Sequence, residues 1–361
     1  MSRPNTFLLL CAACVLATIA FGIVVARRSK PSLPAVAEAP KSVPVPAAQD
    51  EPARLEEKES PPALVPVVKP PSSLIYFRAN ALGEHYGKLS VAPADALDQV
   101  RYAPDIDCDR VHFAGGRGVC LASDRGVFTT YSAVMFDDHM QRGRSIALTG
   151  LPSRVRVSPS GRMASITVFL SGHSYTSLNF STQTTIIDAV SGETLADLDK
   201  FSVMRNGESF QSPDFNFWGV TFARDENRFY ATLWSKGQTY LVECDLARRT
   251  ARVIHDGVEC PSLSPDNTRI AFKKRAAGIR VAWRIHLLDL KTLAETALGE
   301  DRSVDDQVEW LDNRQILYAL SESEKGSSAS TVIWALPASG GGVPRVLLKG
   351  GFSPAVVLRK R

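Results

Sequence analysis

SLSPDNTRIAFKK, residues 262–274, contains two short runs of β-forming residues on either side of a tight turn. The turn is Pro265-Asp266-Asn267, three residue types that favour tight turns. Farther along, WRIHLLDLKTLAETAL (residues 283–298) predicts a third strand, a turn and a fourth strand. Together the two stretches predict a four-stranded antiparallel unit of the size of one propeller blade.

The same arrangement of strand, turn and strand recurs along the chain. The segments are VRYAPD (100–105), VRVSPSG (155–161), VTFARDEN (220–227), SLSPDN (262–267), VEWLDN (308–313) and GFSPA (351–355). They repeat at roughly forty to sixty residues, a spacing typical of β-propeller blades. The sequence therefore predicts an all-β fold, a six-bladed β-propeller, over residues 73–361.

Each end of the propeller region predicts only part of a blade. Residues 351–358 indicate a turn and a second strand, whereas residues 73–78 (SLIYFR) and 87–92 (GKLSVA) indicate third and fourth strands. Joining them makes a composite sixth blade. Such a blade closes the ring and removes strand edges that favour aggregation.

The first 72 residues differ from the rest in composition. Residues 6–26 (TFLLLCAACVLATIAFGIVVA) are uncharged and long enough to cross a bilayer as one helix. The alternative is a secretory signal cut after Ala20, although the apolar core of such signals is usually shorter. Residues 27–72 are rich in proline and alanine and predict a disordered, extended linker. The predicted order is a short tail (1–5), a transmembrane signal anchor (6–26), the linker (27–72) and the propeller (73–361).

Two features disagree about the side of the membrane on which the propeller lies. Arg27, Arg28 and Lys30 follow the apolar run, and a positive-inside count places the propeller in the cytoplasm. The cysteines beyond the apolar run form two locally spaced pairs, as disulfides in an oxidising compartment do: Cys108 with Cys120, and Cys244 with Cys260. We expect a single-pass protein of a bacterial cytoplasmic membrane with an extracytoplasmic propeller, and we favour the first pair as the disulfide.

The turn segments resemble the TolB-type repeat, also called PD40 or WD40-like, whose signature is roughly W-S-P-D-G-x-x-I-A-F. Ser264-Pro265-Asp266-Asn267 with Ile270-Ala271-Phe272 is the closest match, followed by Ser158-Pro159-Ser160-Gly161. The resemblance covers residues 73–358 and implies an exported, membrane-proximal bacterial protein with one propeller. TolB carries an additional N-terminal domain where this chain has the linker, so the resemblance implies no role in the Tol–Pal system.

Two connections of the second blade are longer than the repeat requires. Residues 170–182 (LSGHSYTSLNFST) lengthen the one after its second strand, and residues 201–217 (FSVMRNGESFQSPDFNF) the one after its fourth. Both connections open on one face of a propeller, and loops on a rigid scaffold carry function. We therefore expect a binding surface formed by His173, Tyr175, Asn179, Arg205, Asp214, Phe215 and Trp218. The alternative is structural: Phe217 and Trp218 pack between blades, and the polar residues satisfy the loop backbones.

Signatures of common catalytic classes are missing from the sequence. It contains no G-x-S-x-G and no H-E-x-x-H, and its six histidines are dispersed. Asp305 and Asp306 precede the fifth blade and are expected to point toward the central channel. A lone Asp-Asp pair is more typical of a solvated loop than of a metal site, so we expect no metal and no cofactor. The scattered basic residues form no aromatic-interleaved patch, which argues against nucleic acid.

These observations predict a membrane-tethered binding or scaffold module whose partner is an envelope protein or a cell-wall glycan. The competing interpretation is a polysaccharide-directed lyase or hydrolase with its site at the mouth of the propeller channel. Paired carboxylates for glycoside chemistry can meet in space without any motif in the sequence.

Overall fold

The computed structural model describes residues 73–175, 180–276, 282–322 and 330–358. These residues form 26 strands and one short 3-10 helix, Leu198–Lys200. The strands build six sheets, antiparallel apart from one added strand in the third blade, which confirms the predicted all-β, six-bladed β-propeller. No helix within the described ranges is long and apolar enough to span a membrane. The predicted anchor (6–26) and linker (27–72) lie outside those ranges.

Five blades consist of strands that are consecutive in the chain, and in each blade the strands follow one another from the innermost position outward. The first contains β4 (Arg110–Ala114), β5 (Arg117–Arg125), β6 (Thr129–Asp137) and β7 (Arg142–Leu148). The second contains β8 (Leu151–Val157), β9 (Met163–Ser171), β10 (Ser181–Asp188) and β11 (Thr194–Asp197). The third contains β14 (Asn216–Phe222), β15 (Arg228–Ser235), β16 (Gln238–Asp245) and β17 (Thr250–Asp256).

The fourth blade contains β18 (Glu259–Leu263), β19 (Arg269–Ala276), β20 (Ala282–Asp289) and β21 (Glu295–Ala297). The fifth contains β22 (Glu309–Asp312), β23 (Gln315–Glu322), β24 (Ser330–Pro337) and β25 (Arg345–Lys349). The alternating apolar residues of these strands are buried between neighbouring blades, so the core is a ring of inter-blade clusters and not a single centre.

The sixth blade joins both ends of the propeller. Its innermost strand is β26 (Gly351–Leu358), followed outward by β1 (Ser73–Ala79), β2 (Lys88–Pro93) and β3 (Arg101–Asp107). β1 and β26 pair antiparallel, with Ser73 opposite Leu358. The prediction assigned two strands of this blade to each end of the propeller region. In the structure the C-terminal end supplies one strand and the N-terminal end supplies three. Residues 100–105, predicted as an inner turn, enter the outer strand β3.

The inner turn of the first blade lies at Gly115-Gly116. Both glycines have positive φ, 55° and 79°, a conformation that glycine adopts without strain. A Cβ atom on Gly115 would overlap the backbone of Ser160 in the second blade. The inner turns of these two blades therefore pack backbone to backbone, and this close approach requires a residue without a Cβ atom at position 115.

The third blade has an extra hairpin at its outer edge. β12 (Ser202–Arg205) and β13 (Glu208–Phe210) form the hairpin, and β12 pairs in parallel with β17. Phe201 and Val203 are buried in the cluster between the second and third blades. Residues 201–210, predicted as part of a long binding loop, are therefore a structural extension of the blade.

The ring has two faces, which we name by their connections. The turn face carries the turns between first and second strands and between third and fourth strands. The loop face carries the connections between second and third strands and those between successive blades. The innermost strands β26, β4, β8, β14, β18 and β22 surround a central channel with one mouth on each face.

Candidate functional site

Charged side chains of the innermost strands meet across the channel. On β8, Arg154 and Arg156 alternate with valines, and side chains two residues apart lie on the same face of a strand. The Arg156 guanidinium donates to Glu309 of the fifth blade. It also lies within 3.3 Å of Ser262 Oγ in the fourth blade and 2.9 Å from His112 Nε2 in the first. One arginine thus connects four blades at the axis.

The turn-face mouth is a cavity of about 250 Å³ with this charged cluster at its floor. Val157 N donates to His112 Nδ1 at 3.0 Å, and Arg156 Nη2 donates to the carbonyl oxygen of Val308 at 3.1 Å. Burial alone would raise the pKa of Glu309, but the charge of Arg156, aided by the contact with His112, outweighs it and lowers that pKa. The carboxylate is therefore ionised at neutral pH and already occupied by fixed partners.

Between the two mouths the channel narrows to a cavity of about 20 Å³. Arg110 of β4 crosses it and forms an ion pair with Asp306 at 2.7 Å. Its guanidinium also lies over the ring of Phe352, 4.4 Å from the ring centre. Burial and the nearby charge of Arg154 lower the pKa of Arg110, and Asp306 only partly opposes them. These groups lie between the two mouths of the channel.

The loop-face mouth is a cavity of about 170 Å³. Its polar lining includes Arg110, Arg154, His173, Tyr175 and Asp305. The Asp305 side chain is 46% exposed, accepts from Lys273 and lies 3.8 Å from Arg154 Nη2. Burial would raise the pKa of Asp305, but these two cations lower it. This carboxylate is therefore also ionised at neutral pH.

Tyr175 and Trp218 lie beneath this mouth and not on an open surface. Their rings stack with centres 4.6 Å apart, and both belong to a buried cluster with Phe169 and Phe180. The Tyr175 hydroxyl lies 2.5 Å from Ser153 Oγ, and burial raises the pKa of the phenol, which stays protonated. The cluster supports the floor of the cavity, whereas His173 at its edge is exposed.

Asp214 and Phe215 have structural contacts elsewhere in the third blade. Asp214 accepts hydrogen bonds from Ser235 Oγ and Lys236 N, both at 2.7 Å, and so caps the turn between β15 and β16. Phe215 packs edge to face against Phe210 of the added hairpin. Neither residue contributes to the loop-face cavity.

Arg205 lies at the outer part of the third blade. Its Nη2 is 3.5 Å from Asp256, and its guanidinium lies over the ring of Tyr240. Asn179 is outside the described ranges. The structure thus brings His173, Tyr175 and Trp218 together at one mouth, and it places Arg205, Asp214 and Phe215 away from it.

The four cysteines of the propeller are in different states. Cys108 and Cys120 form a disulfide across the start of the first blade, with their Cα atoms 5.4 Å apart. Cys244 and Cys260 are free and buried, so the second candidate disulfide is wrong. Cys244 packs in the cluster between the second and third blades, whereas Cys260 packs in the aromatic cluster beside Trp218. The two thiols therefore belong to separate cores.

The channel carboxylates are engaged by cations of the chain itself. Asp305 is paired with Lys273, and Asp306 with Arg110. In the part of the chain that the structure describes, no group of three or more His, Cys, Asp or Glu side chains is placed to hold a metal ion. The chemistry of this site is that of fixed charge pairs.

The inner-strand charges that dominate the channel were not among the residues predicted to form the site. They are Arg110, His112, Arg154, Arg156 and Glu309. The signal was present, because RVH (110–112) and RVRV (154–157) alternate charged residues with valine in strands that surround the axis. Their partners were not visible, since Arg156 and Glu309 are separated by 153 residues.

Solved structures with a similar fold include two propellers. TolB from Acinetobacter baumannii gives a TM-score of 0.52 at 16% identity, over 79% of this chain and 66% of that chain. A chain of a nidogen/laminin complex gives a TM-score of 0.51 at 11% identity, over 79% of this chain and 98% of that chain. These likenesses confirm the TolB-like fold and carry no more than the fold. No protein-family model and no curated protein matches the chain.

Proposed function

We propose that this TolB-like propeller is a protein-binding module that takes its partner on the loop face. The observation that carries the proposal is a set of exposed apolar side chains on that face. Val127 is 95% exposed, Phe128 83% and Leu82 72%, and Tyr86 and Leu170 are also exposed. Concentrated apolar exposure on a globular fold marks an interaction surface.

These side chains belong to equivalent positions in three consecutive blades. Leu82 and Tyr86 lie between β1 and β2 of the sixth blade, Val127 and Phe128 between β5 and β6 of the first, and Leu170 at the end of β9 in the second. All five lie in or beside a connection between a second and a third strand, on the face that carries the loop-face cavity. We call these five residues the apolar rim.

The third blade provides an internal comparison for the apolar rim. Its connection between second and third strands consists of Lys236 and Gly237, between β15 and β16. Such a tip offers charge and no apolar surface. Exposed apolar residues at this connection are therefore a feature of these three blades that the third blade does not share, and they do not follow from the propeller repeat itself.

The proposed setting is the outer side of a bacterial cytoplasmic membrane, with residues 6–26 as the anchor and residues 27–72 as the tether. A disulfide between Cys108 and Cys120 supports an oxidising compartment, because such bonds persist outside the cytoplasm. A tether rich in proline would let the propeller reach partners away from the bilayer. Trypsin treatment of intact spheroplasts is the test: a protected propeller would contradict this orientation.

The alternative, a lyase or hydrolase acting on a polysaccharide, is favoured by one observation: His173 and Asp305 line the same cavity. Glycoside hydrolysis requires one carboxyl group with a raised pKa to act as the acid. The pKa of Asp305 and that of Glu309 are both lowered by neighbouring cations despite burial. Channel carboxylates held ionised in this way serve binding better than proton donation.

The experiment is site-specific photo-crosslinking in cells that produce the full chain. A photoreactive phenylalanine analogue is placed at Phe128 on the loop face and, as a matched control, at Val343 on the turn face, which is 81% exposed. We expect a discrete cross-linked protein from position 128 and none from position 343. Val127→Ser with Leu170→Ser should abolish the product.

The same bands from both positions, or none from position 128, would overturn the assignment of the loop face. Val343→Ser with Leu293→Ser removes comparable apolar surface from the turn face and should leave the cross-link unchanged. Release of sugar from purified cell-wall glycan by the purified chain would instead favour the enzymatic alternative.

A further inference from the structure

The guanidinium of Arg154 is buried and incompletely hydrogen bonded. Its residue is 6% exposed, and Nη1 donates to the carbonyl oxygen of Ser153 at 3.0 Å. Nε has no hydrogen-bond partner among the described residues, and the nearest carboxylate oxygen to Nη2, on Asp305, is 3.8 Å away. Nε and Nη2 form the edge with which arginine grips a carboxylate by two parallel hydrogen bonds. A buried donor without an acceptor costs about 1–3 kcal/mol.

The charges around this mouth leave Arg154 as the surplus cation. Each of three carboxylates has its own close partner: Asp305 with Lys273, Asp306 with Arg110, and Glu259 with Arg275 at 2.6 Å. Arg154 is the fourth cation and has no carboxylate of its own. Burial opposes the charge of Arg154, but Cys260, Tyr175 and the more distant charges of Asp305 and Asp306 raise its pKa, so the guanidinium stays charged inside the protein.

The cavity beside Arg154 combines this cation with apolar walls. Leu151, Pro152 and Phe169 contribute the walls, and Leu170 of the apolar rim follows Phe169 directly in the chain. A volume of about 170 Å³ holds a carboxylate with one apolar side chain, and no folded domain. A site of this kind selects a small group that is charged at one end and apolar at the other.

We propose that the loop-face mouth binds the C-terminal carboxylate of a polypeptide whose last residue is apolar. Arg154 Nε and Nη2 donate to the two carboxylate oxygens, and the last side chain packs against Leu151 and Phe169. The choice of a polypeptide rests on the proposed function, whereas the choice of a carboxylate rests on Arg154 alone. A planar guanidinium matches a planar carboxylate in geometry as well as charge.

Two other anions fit this site less well. A phosphate group carries roughly 1.5 to 2 negative charges at neutral pH, and the ionised, half-exposed Asp305 repels the second charge. A uronic acid would meet polar side chains such as Ser153 and His173 in the same lining, but its hydroxylated ring has no apolar group to place against Leu151, Pro152 and Phe169. A single carboxylate on an apolar body satisfies both the charge and the walls.

The test measures binding of N-acetyl-phenylalanine and of its amide, N-acetyl-phenylalaninamide, to the purified full chain by calorimetry. The two probes have the same ring and differ in the carboxylate. We expect the acid to bind at least tenfold more tightly than the amide. Arg154→Gln should abolish the preference, and Arg224→Gln, an exposed arginine on the turn face, should leave it intact.

Arg154→Lys is the second variant, because it retains the buried charge and loses the two-pronged edge. It should keep a weak preference for the acid even if Arg154→Gln fails to fold, which the unfolding midpoint of each variant reveals. Equal binding of acid and amide by the wild type, or an unchanged preference in either folded variant, would overturn the carboxylate site.

Glucuronate is the third probe and separates the two sources of a carboxylate. Binding of glucuronate as tight as that of N-acetyl-phenylalanine would overturn the assignment to a polypeptide end. The outcomes are distinct from those of the photo-crosslinking experiment: a carboxylate preference without a cross-link at position 128 would contradict the protein partner and leave the role of Arg154 standing.

Discussion

Arg154 and Arg156 lie two residues apart on β8, are both buried and point to the same side of the strand, yet the two mouths of the channel use them differently. Arg156 donates to the Glu309 carboxylate, the Ser262 hydroxyl and the Val308 carbonyl. Arg154 donates to one carbonyl and has no carboxylate of the described residues within hydrogen-bonding distance. Nε is without a partner in both residues, but only Arg156 has both Nη groups engaged.

The difference comes from the opposite side of the ring and not from β8 itself. The fifth blade places Glu309 against Arg156, whereas Asp305 is drawn to Lys273. At the turn-face mouth the charges are matched inside the protein, and the cluster holds blades together. At the loop-face mouth the guanidinium of Arg154 has no close carboxylate, and we propose that a bound ligand supplies one. Matched and unmatched arginines thus distinguish the turn-face mouth from the loop-face mouth, where we propose that a ligand binds.

The largest expected effect is the difference between two identical substitutions. Arg156→Met leaves Glu309 buried without its cation and should lower the free energy of unfolding by about 3–5 kcal/mol. Arg154→Met removes an incompletely bonded charge and should lower it by about 1 kcal/mol or less. Urea unfolding followed by tryptophan fluorescence measures both. Equal losses from the two variants would break the comparison.

Removal of the disulfide should lower the stability of the propeller without disturbing one mouth more than the other. Cys108 and Cys120 are 12 residues apart and constrain β4, which carries Arg110 toward one mouth and His112 toward the other. Replacing both cysteines by alanine should cost about 3 kcal/mol through the entropy of the unfolded chain. The acid-over-amide preference should survive at temperatures where the variant remains folded. A selective loss at the loop-face mouth would show that the disulfide positions Arg110 specifically.

Asp305→Asn should have a smaller cost in stability and a gain in binding. Its side chain is half exposed, and Lys273 retains Glu259 at 3.7 Å, so we expect a loss of about 1–2 kcal/mol. The loop-face mouth becomes more positive, and N-acetyl-phenylalanine should bind more tightly. Calorimetry on the variant checks this; weaker binding would mean that Asp305 contacts the ligand favourably.

The smallest expected effect is on how steeply the free energy of unfolding changes with pH, and it arises from the turn-face mouth. Burial and the charge of Arg156 lower the pKa of His112 below its ordinary value of 6.5, and Glu309 opposes them only in part. The unfolded chain therefore binds the proton first, and stability should fall as the pH drops below 6.5 toward the folded-state pKa. The lowered pKa of Glu309 acts in the same direction below its ordinary value of 4.5.

His112→Gln is the variant for this effect, because its amide oxygen can accept from Val157 N as the imidazole does. The urea midpoint of the variant should fall less between pH 7 and pH 5 than that of the wild type. His139→Gln, at an exposed histidine, is the matched control and should follow the wild type. Parallel curves for all three proteins would mean that His112 does not cause the pH dependence.

Much of the fold follows from local signals in the chain. The turn segments at 155–161, 220–227, 262–267 and 308–313 each lie between an innermost strand and the next strand, as predicted. Two of the six segments do not form an inner turn, and each has a physical reason. Residues 100–105 have the right residue types but lie at the blade's outer strand, and Ser353 within residues 351–355 has a φ of 54° inside β26, where the strand is bulged. Turn-forming residues also suit bulges.

The candidate site was predictable only in part. Long connections on one face of the second blade are a local property, and they located His173 and Tyr175 beside the loop-face cavity. The extra residues after the fourth strand instead formed a hairpin on β17, because an outer edge strand offers unpaired backbone groups to any strand nearby. Nothing in the spacing of residues 201–217 distinguishes these two outcomes.

The repeat, the number of blades and the alternation of arginine with valine on β8 are written in the chain, because turns and strand periodicity depend on neighbours within a few residues. The pairing of charges across the channel is not determined by neighbours in the sequence. Arg156 meets Glu309, and Arg154 comes no closer than 3.8 Å to a carboxylate among the described residues, only once the ring closes and sets the six innermost strands around one axis. Coulomb energy in a buried channel depends on distances of a few ångströms between residues far apart in sequence, and the closed ring alone decides those distances.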